Sequence, residues 1–385
     1  MNGSVPALPR IAVFGEALTD LVRTGDDSWR SVAGGACWNV ARVAATLGVP
    51  TGWGGAASDD LFGRQIVALS REAGLDPRFL QVVPRPPLLA VVHQLDPPDY
   101  FFIGEDSADL AFDEARLPPG WEAECAFAHF GCISLVRQPL GERLVALALR
   151  LADAGVPVSF DPNCRNLMGA DYPPLFERLA ARAAVLKISD EDLRRIYPAM
   201  DAADALARVR MLAPDAVLLY TRGAAGMTVY APGAATGPLP GSPASWAPTV
   251  APSPAAAVVG AGLARDRGVV SGPVPGSPAS WPPAGGAAPG NAVAGAQPAG
   301  DRGTASGPTD ADCFTQPAFA VGVVDTVGAG DACIGGFLAS RLLYPQASLR
   351  EHARFAAATA AAACTRAGAH APSRDEVERL LDATR

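Results

Sequence analysis

A carboxylate in the first turn of a helix, directly behind three small residues, carries the clearest chemistry in this sequence. The run is Asp325-Thr-Val-Gly-Ala-Gly-Asp-Ala-Cys-Ile-Gly-Gly-Phe-Leu338. An apolar stretch ends before it, and a helical pattern follows to Leu343, where Pro345 stops it. Gly328, Ala329 and Gly330 let the backbone approach a ligand closely. Their N–H groups open a helix N-terminus, which attracts anions through its unpaired donors and the helix dipole. Asp331 in that first turn is placed to take a proton from a hydroxyl nucleophile. Taken alone, the same residues also read as a helix cap beside a glycine-rich turn. A G-x-G-x-x-G dinucleotide fingerprint fails here, because Cys333 stands at the third glycine position.

Lys187 is the second informative residue. It is the only lysine; the other 30 basic residues are arginines. It lies in Val-Leu-Lys-Ile-Ser, so no Walker A G-K-S/T loop exists. Neither the H-R-D and D-F-G pair of protein kinases nor a G-x-S-x-G nucleophile elbow occurs. Seven cysteines without a C-x-x-C spacing, and four histidines without H-E-x-x-H, argue against a zinc site or a disulfide framework. A reducing cytoplasm fits them better.

These residues need a scaffold, and the apolar pattern describes one. Ile11-Ala-Val-Phe14 reads as a short buried strand and Cys37–Leu47 as a helix closed by Gly48. Leu144–Leu151 reads as a helix. Val156–Phe160, Ala183–Ile188, Ala216–Tyr220, Met227–Ala231 and Ala318–Val324 read as strands. Their alternation predicts an α/β fold with a mostly parallel sheet wrapped by helices. Segments 16–33 and 88–105 alternate in polarity and predict a small accessory sheet. Of 385 residues, Gly 40 and Pro 36 are an unusually large share. Much of this falls in 232–312, where Gly237–Trp246 returns as Gly272–Trp281 at an offset of 35. Neither copy has a helical or strand period, so the segment is expected to be a disordered insertion in one domain formed by 10–231 and 313–385. A net charge of −8 with no basic cluster predicts no nucleic-acid partner. No apolar run is long enough for a membrane span, and the first residues show no secretory signal pattern.

Two signatures together resemble the ribokinase-like (PfkB) carbohydrate kinases. Asp325–Leu338 is similar to their C-terminal signature. Ala33-Gly-Gly-Ala-Cys-Trp-Asn39, with Gly48, Gly54 and Gly63 beyond it, is similar to the N-terminal one. Within the family, Gly15-Glu-Ala-Leu-Thr-Asp20, Tyr100–Asp109, His129–Leu135, Phe160-Asp-Pro-Asn-Cys-Arg165 and Cys364–Pro372 look most like bacterial fructokinases.

The resemblance implies a three-layer ribokinase-like fold with a small β-sheet lid from about 16–33 and 88–105. It implies ATP-dependent phosphorylation of a sugar hydroxyl, D-fructose to fructose 6-phosphate first. Other sugar or sugar-acid kinases, such as a 2-keto-3-deoxygluconate kinase or a ribokinase, are alternatives. So is a non-catalytic sugar- or nucleotide-binding relative. Asp331 would be the base, and the backbone of Gly328, Ala329 and Gly330 the anion hole. Asp20, Gly34, Gly35, Asn39 and Phe102 would hold the sugar. Lys187, Thr221, Arg222, Gly223 and Gly226 would hold the nucleotide, so an amine reagent should find Lys187 and ATP should protect it. Asp192 would reach Mg²⁺ through water. Asp325, Thr326, Ala363, Arg366 and Gly368 would surround a monovalent cation such as K⁺. A homodimer through the lid is a further implication. The chain departs from the family where Asn-x-x-Glu is replaced by Ser189-Asp-Glu-Asp192. It departs again at Ala356–Ala357 and at Ile103–Gly104, where other members carry an Asn, and an aromatic with an Arg.

Overall fold

The computed structural model describes residues 7–95, 98–234 and 312–383. Thirteen strands occur among them, given in chain order: β1 Ile11–Phe14, β2 Leu18–Arg23, β3 Trp29–Gly34, β4 Thr51–Ser58, β5 Leu80–Val83, β6 Leu89–Leu95, β7 Pro98–Ile103, β8 Phe127–Gly131, β9 Val158–Asp161, β10 Val185–Ser189, β11 Val217–Thr221, β12 Met227–Tyr230 and β13 Cys313–Gln316.

Nine of them form the central sheet, in the order β13-β12-β11-β10-β9-β8-β1-β4-β5. From β11 to β5 every pairing is parallel, and β12 and β13 close one edge antiparallel. Strands buried on both faces read as continuous apolar runs, and β1 shows how each face is filled. Ala12 and Phe14 point into one core with the helices Leu140–Asp153 and Tyr172–Ala180. Ile11 and Val13 point into the other, with the helices Ala36–Thr46, Ala329–Leu343 and Leu349–Ala363. The result is three layers, as expected. The remaining strands make the expected second sheet, β3-β2-β6-β7.

Two expectations need correction. Ala318–Val324 is not a strand. Cys313–Gln316 pairs with β12 instead, while Val323 and Val324 stay more than half exposed, so an apolar run there marks a loop. Strands β4, β5 and β8 were not read from the pattern. Strand β4, Thr-Gly-Trp-Gly-Gly-Ala-Ala-Ser, is fully buried yet rich in glycine. The reason is packing. A Cβ at Gly52 would meet the Phe79 ring at 2.5 Å, and one at Gly54 would meet the Phe14 ring at 2.4 Å.

The expected insertion, apart from 232–234 and 312, lies outside the described residues. Its two ends are adjacent: Tyr230 pairs with Cys313, and Ala231 N–H donates to the Asp312 carbonyl at 2.8 Å. A tight turn can therefore join β12 to β13. Shortening a loop also recovers closure entropy, about 0.6 kcal/mol per halving of its length. Replacing residues 235–311 by a short Gly/Ser turn is expected to keep or raise the unfolding temperature and to leave the activity that the resemblance implies within a few-fold. A fall in either would show that the segment packs on the domain or covers its site.

Candidate active site

The parallel strands end in register, so their carboxyl ends form one shelf. Gly131 of β8 is level with Asp161 of β9, and Ser189 of β10 with Thr221 of β11. Ligand sites in open α/β sheets form on such a shelf. Asp331 faces it from the helix Ala329–Leu343, whose N-cap is Gly328. Gly328 has φ +78, and a Cβ on it would strike Ala369 at 2.8 Å, so glycine is required there twice over. In that first turn the N–H groups of Ala329 and Ala332 are taken by Thr326 and Gly328 carbonyls. Those of Gly330 and Asp331 fall among the first-turn donors that have no partner inside a helix.

Asp331 is 6% exposed and held by two amides. Asn39 Nδ2 donates to its Oδ2 at 2.9 Å and Asn163 Nδ2 to its Oδ1 at 3.1 Å. Burial pushes its carboxyl above the ordinary value of 3.8, against the Asn39 hydrogen bond and the nearby Arg165 and Lys187 cations. Asn39 Oδ1 is buried without a partner. A buried acceptor left open costs free energy unless a ligand fills it, so this oxygen is suited to take a hydroxyl hydrogen.

The lid brings Asp20 to the same place. Its carboxylate packs on Gly34, where a Cβ would lie 2.7 Å from Oδ2. Burial raises Asp20 to about 6, and Arg165 opposes the shift. Phe102 lies on the same lid face, set edge-on to Tyr100 with ring centres 5.6 Å apart. Gly35 has φ +117 and no room for a side chain against the Glu16 carbonyl.

Lys187 sits elsewhere than expected of a labelling target. It is 3% exposed and ion-paired to Asp161, Nζ to Oδ2 at 2.9 Å. A Cβ added to Gly330 would lie 3.3 Å from Nζ, so the ammonium stands directly beside the glycine turn. Burial would strip its proton, but Asp161 and Asp192 outweigh that and hold it charged. The reactive, ATP-protected amine of the sequence reading does not fit a lysine this enclosed.

Asp192, expected to reach Mg²⁺ only through water, is held in bonds of its own. Ser189 and Asp192 form a capping box on the helix Asp190–Ile196. Oδ1 of Asp192 accepts from Cys164 N–H at 2.7 Å, and Oδ2 from Ser189 N–H at 2.9 Å and Ser189 Oγ–H at 2.7 Å. Burial acts to raise its carboxyl, yet Lys187 and these bonds hold it below the usual range. Both oxygens thus carry hydrogen bonds inside the chain, which holds the carboxylate in place.

Asp325 ties two loops together, accepting from Gly368 N–H at 2.8 Å and Val327 N–H at 3.0 Å. Thr326 and Gly368 lie in those loops, and Ala363 ends the helix Leu349–Ala363 just before the second. The Arg366 guanidinium pairs with Glu376, so this residue offers a cation only its main chain. Thr221 ends β11, and Gly223 opens a 3-10 turn closed by Gly226 at φ +80. Arg222 donates to Thr228 Oγ1 at 3.1 Å, and its buried Nε has no partner.

Sequence reasoning assigned no role to Asp161, Asn163 or Arg165, although Asp-Pro-Asn-Cys-Arg stood out as a segment. One strand end thus supplies the partner of Lys187, the second amide on Asp331, and a guanidinium that acts on both Asp20 and Asp331. The signal was polar residues crowded after a Pro that ends a buried strand.

The chain thus joins a mostly parallel nine-stranded sheet between two helix layers, a separate four-stranded sheet and a buried aspartate at a helix N-terminus. Residues 8–247 and 299–376 match the pfkB family carbohydrate kinase model, and the chain belongs to that family. It is a sugar kinase. A fructokinase of Rhizobium leguminosarum bv. trifolii is 32% identical over 228 residues, spanning 57% of this chain and 69% of that one. An aminoimidazole riboside kinase of Salmonella typhimurium is 29% identical over 219 residues, 55% of this chain and 68% of that one. The fold is shared with the crystal structure of fructokinase with bound ATP from Xylella fastidiosa. The TM-score is 0.70 at 23% identity, over 98% of this chain and 99% of that one. Among the described residues no helix is long and apolar enough to cross a membrane.

Proposed function

We propose that this sugar kinase transfers the γ-phosphoryl group of ATP to a primary hydroxyl, with D-fructose as acceptor and fructose 6-phosphate as product. The observation that carries the reading is Asp331 itself, buried at the start of a helix and held by Asn39 and Asn163. Asp331 accepts the hydroxyl proton as the oxygen attacks the γ-phosphorus. The bond from that phosphorus to the β,γ-bridging oxygen breaks, and ADP leaves. The N–H groups of Gly328 and Gly330 meet the charge that builds on the transferred group, backed by Lys187 beside Gly330, while that of Ala329 is held by the Thr326 carbonyl.

Asp20 and the open Asn39 Oδ1 accept sugar hydroxyl hydrogens, and Gly34 and Gly35 let the sugar lie against backbone. Phe102 gives its apolar face a wall. The nucleotide lies along Thr221, Arg222, Gly223 and Gly226. Mg²⁺, when bound, neutralises phosphate charge; Asp192 would touch its water shell. Main-chain oxygens of Asp325, Thr326, Ala363, Arg366 and Gly368 would hold K⁺. Trp29, Phe101 and Ile103 share the lid face opposite Asp20 and are about half exposed, which supports pairing with a second lid.

Arg165 favours one second reading. A guanidinium acting on both Asp20 and Asp331 suits a carboxylate-bearing acceptor, which makes a sugar acid such as 2-keto-3-deoxygluconate the alternative. A panel of D-fructose, D-ribose, 2-keto-3-deoxygluconate and aminoimidazole riboside with ATP and Mg²⁺ decides between them. D-fructose is expected to give the highest kcat/KM. A preference for the sugar acid would transfer the assignment to the second reading. Binding without phosphoryl transfer to any of the four would leave a non-catalytic binding protein.

A further inference from the structure

The helix Ala36–Thr46 carries Asn39 and starts at Gly35, yet it lacks a side-chain cap and any acidic residue in its first turn. Its first N–H groups need acceptors. One comes from Glu16, which follows the Gly15 bend after β1 and is 1% exposed. Glu16 Oε1 accepts from Ala36 N–H at 3.2 Å, and its main-chain carbonyl accepts from Trp38 N–H at 3.4 Å. Its Oε2 accepts from the Ser134 hydroxyl, itself fully buried in the turn Cys132–Leu135 that follows β8. Space is closed around it: a Cβ on Gly35 would lie 2.6 Å from the Glu16 carbonyl oxygen. No contact joins Glu16 to the reacting atoms in the arrangement above. One helical turn further on, Asn39 holds Asp331.

We propose that Glu16 is a positioning residue for phosphoryl transfer: its carboxylate closes the open start of the Asn39 helix, ties it to the end of β8, and thereby fixes Asn39 and the Gly34–Gly35 turn against the acceptor hydroxyl. Burial pushes the Glu16 carboxyl above its usual value, against the Ser134 hydroxyl bond, and in either protonation state its oxygens close the helix start and hold Ser134. Two independent elements, the helix and the β8 turn, are joined through a single carboxylate. A small rotation of the helix start moves the Asn39 amide off Asp331, and displacements of about 1 Å in such positions can cost on the order of 100-fold in rate.

The inference rests on Asp331 as base and Gly34–Gly35 as the sugar turn. The test is a double-mutant cycle in the full-length enzyme, with Glu16→Ala and Asn39→Ala measured singly and together. Glu16→Ala is expected to raise the acceptor KM about 5-fold and lower kcat about 10-fold, by the positional sensitivity just given, with the KM for ATP unmoved. A mere loss of folded enzyme lowers apparent kcat and moves no KM. Glu16→Gln, whose amide can still accept from Ala36 and donate to Ser134, is expected to restore most of the loss. In the double variant the Glu16 effect is expected to shrink to the part that acts through the Gly34–Gly35 turn, because residues acting through one contact are non-additive. Effects that multiply, or an unmoved acceptor KM, overturn the proposal. If Glu16→Ala does not fold, Ser134→Ala enters the same cycle and the same outcomes decide. Full activity in Asp331→Asn would sink the base assignment alone. An inactive Asp331→Asn beside a multiplicative cycle would sink only the role of Glu16.

Discussion

Replacing Asp331 by asparagine is expected to lower kcat by about 10²–10⁴, the range typical of a general base, with acceptor binding nearly intact. The substitution keeps size and shape. Asparagine offers one acceptor oxygen where the carboxylate offered two, and both now receive amide N–H groups from Asn39 and Asn163. The new side chain can keep its oxygen toward Asn39 while Asn163 turns its own amide, which leaves the open Asn39 Oδ1 to the acceptor. The fold should therefore survive while the proton acceptor is gone. The pH profile gives a second reading of the same group. Burial raises the Asp331 carboxyl above 3.8, and the Asn39 bond, Arg165 and Lys187 hold the rise in check. A base works only when ionised, so activity falls as pH drops through this raised value. Removing the Asn39 donor takes away a force that favours the ionised form, so Asn39→Ala should move the acidic limb of kcat/KM to higher pH. The sign for stability is opposite to that of a salt-bridged aspartate. With the folded value above the unfolded one, the folded state holds more protons between the two, and stability declines as pH rises through that window. Asp331→Asn removes that decline. An Asp331→Asn enzyme within a few-fold of wild-type turnover would falsify the assignment.

How far the sequence could be read depends on what makes each element. The helix at Cys37–Leu47 announced itself, because an apolar stripe such as Val40, Val43, Ala44 and Leu47 has one explanation, whereas Leu61–Glu72, Ala202–Leu212 and Leu349–Ala363 were not read as helices. The lid strands announced themselves too, since one face is solvated and the polarity alternates. Strand β4 was illegible because its glycines answer the rings of Phe79 and Phe14, residues distant in sequence, and no local preference records that. Ala318–Val324 misled for the converse reason. Its composition suits a buried strand, but the ladder is completed by Cys313–Gln316 and the later valines are left at the surface. The proposed base was legible because the turn ahead of it needs small residues, Gly328 above all. Its supports were not. Asn163, Arg165 and Glu16 act through register between strand ends, a property of the sheet that no single segment carries.

Lys187 and Asp161 support the second large expectation, which concerns stability first. Their side chains are 4% and 3% exposed, and Nζ lies 2.9 and 3.1 Å from the two carboxylate oxygens. They are neighbours because β9 and β10 pair in parallel, with Leu186 opposite Phe160 and the next pair one step on. Lys187→Met keeps the length and volume of the stem and removes the charge. Asp161 is then a buried carboxylate without its cation, and breaking a buried pair from one side costs about 3–5 kcal/mol. Asp161 can limit that cost by taking up a proton, which its value of about 6 already makes easy. Unfolding temperature should fall on the order of 10 °C, given roughly 2–4 °C per kcal/mol for a chain of this size. Adding Asp161→Asn removes the stranded charge, so the double variant should regain most of the lost stability. Turnover is the separate question. The ammonium sits beside Gly330, in the proposed anion hole, and a desolvated cation there would favour the transition state of the proposed transfer. The double variant should therefore be stable and still at least about 10-fold slow. A single variant that melts within a degree or two of wild type would mean that the pair is not closed in solution. A double variant that regains full turnover would reduce Lys187 to a structural residue and leave the anion hole to the backbone of Gly328–Gly330 alone.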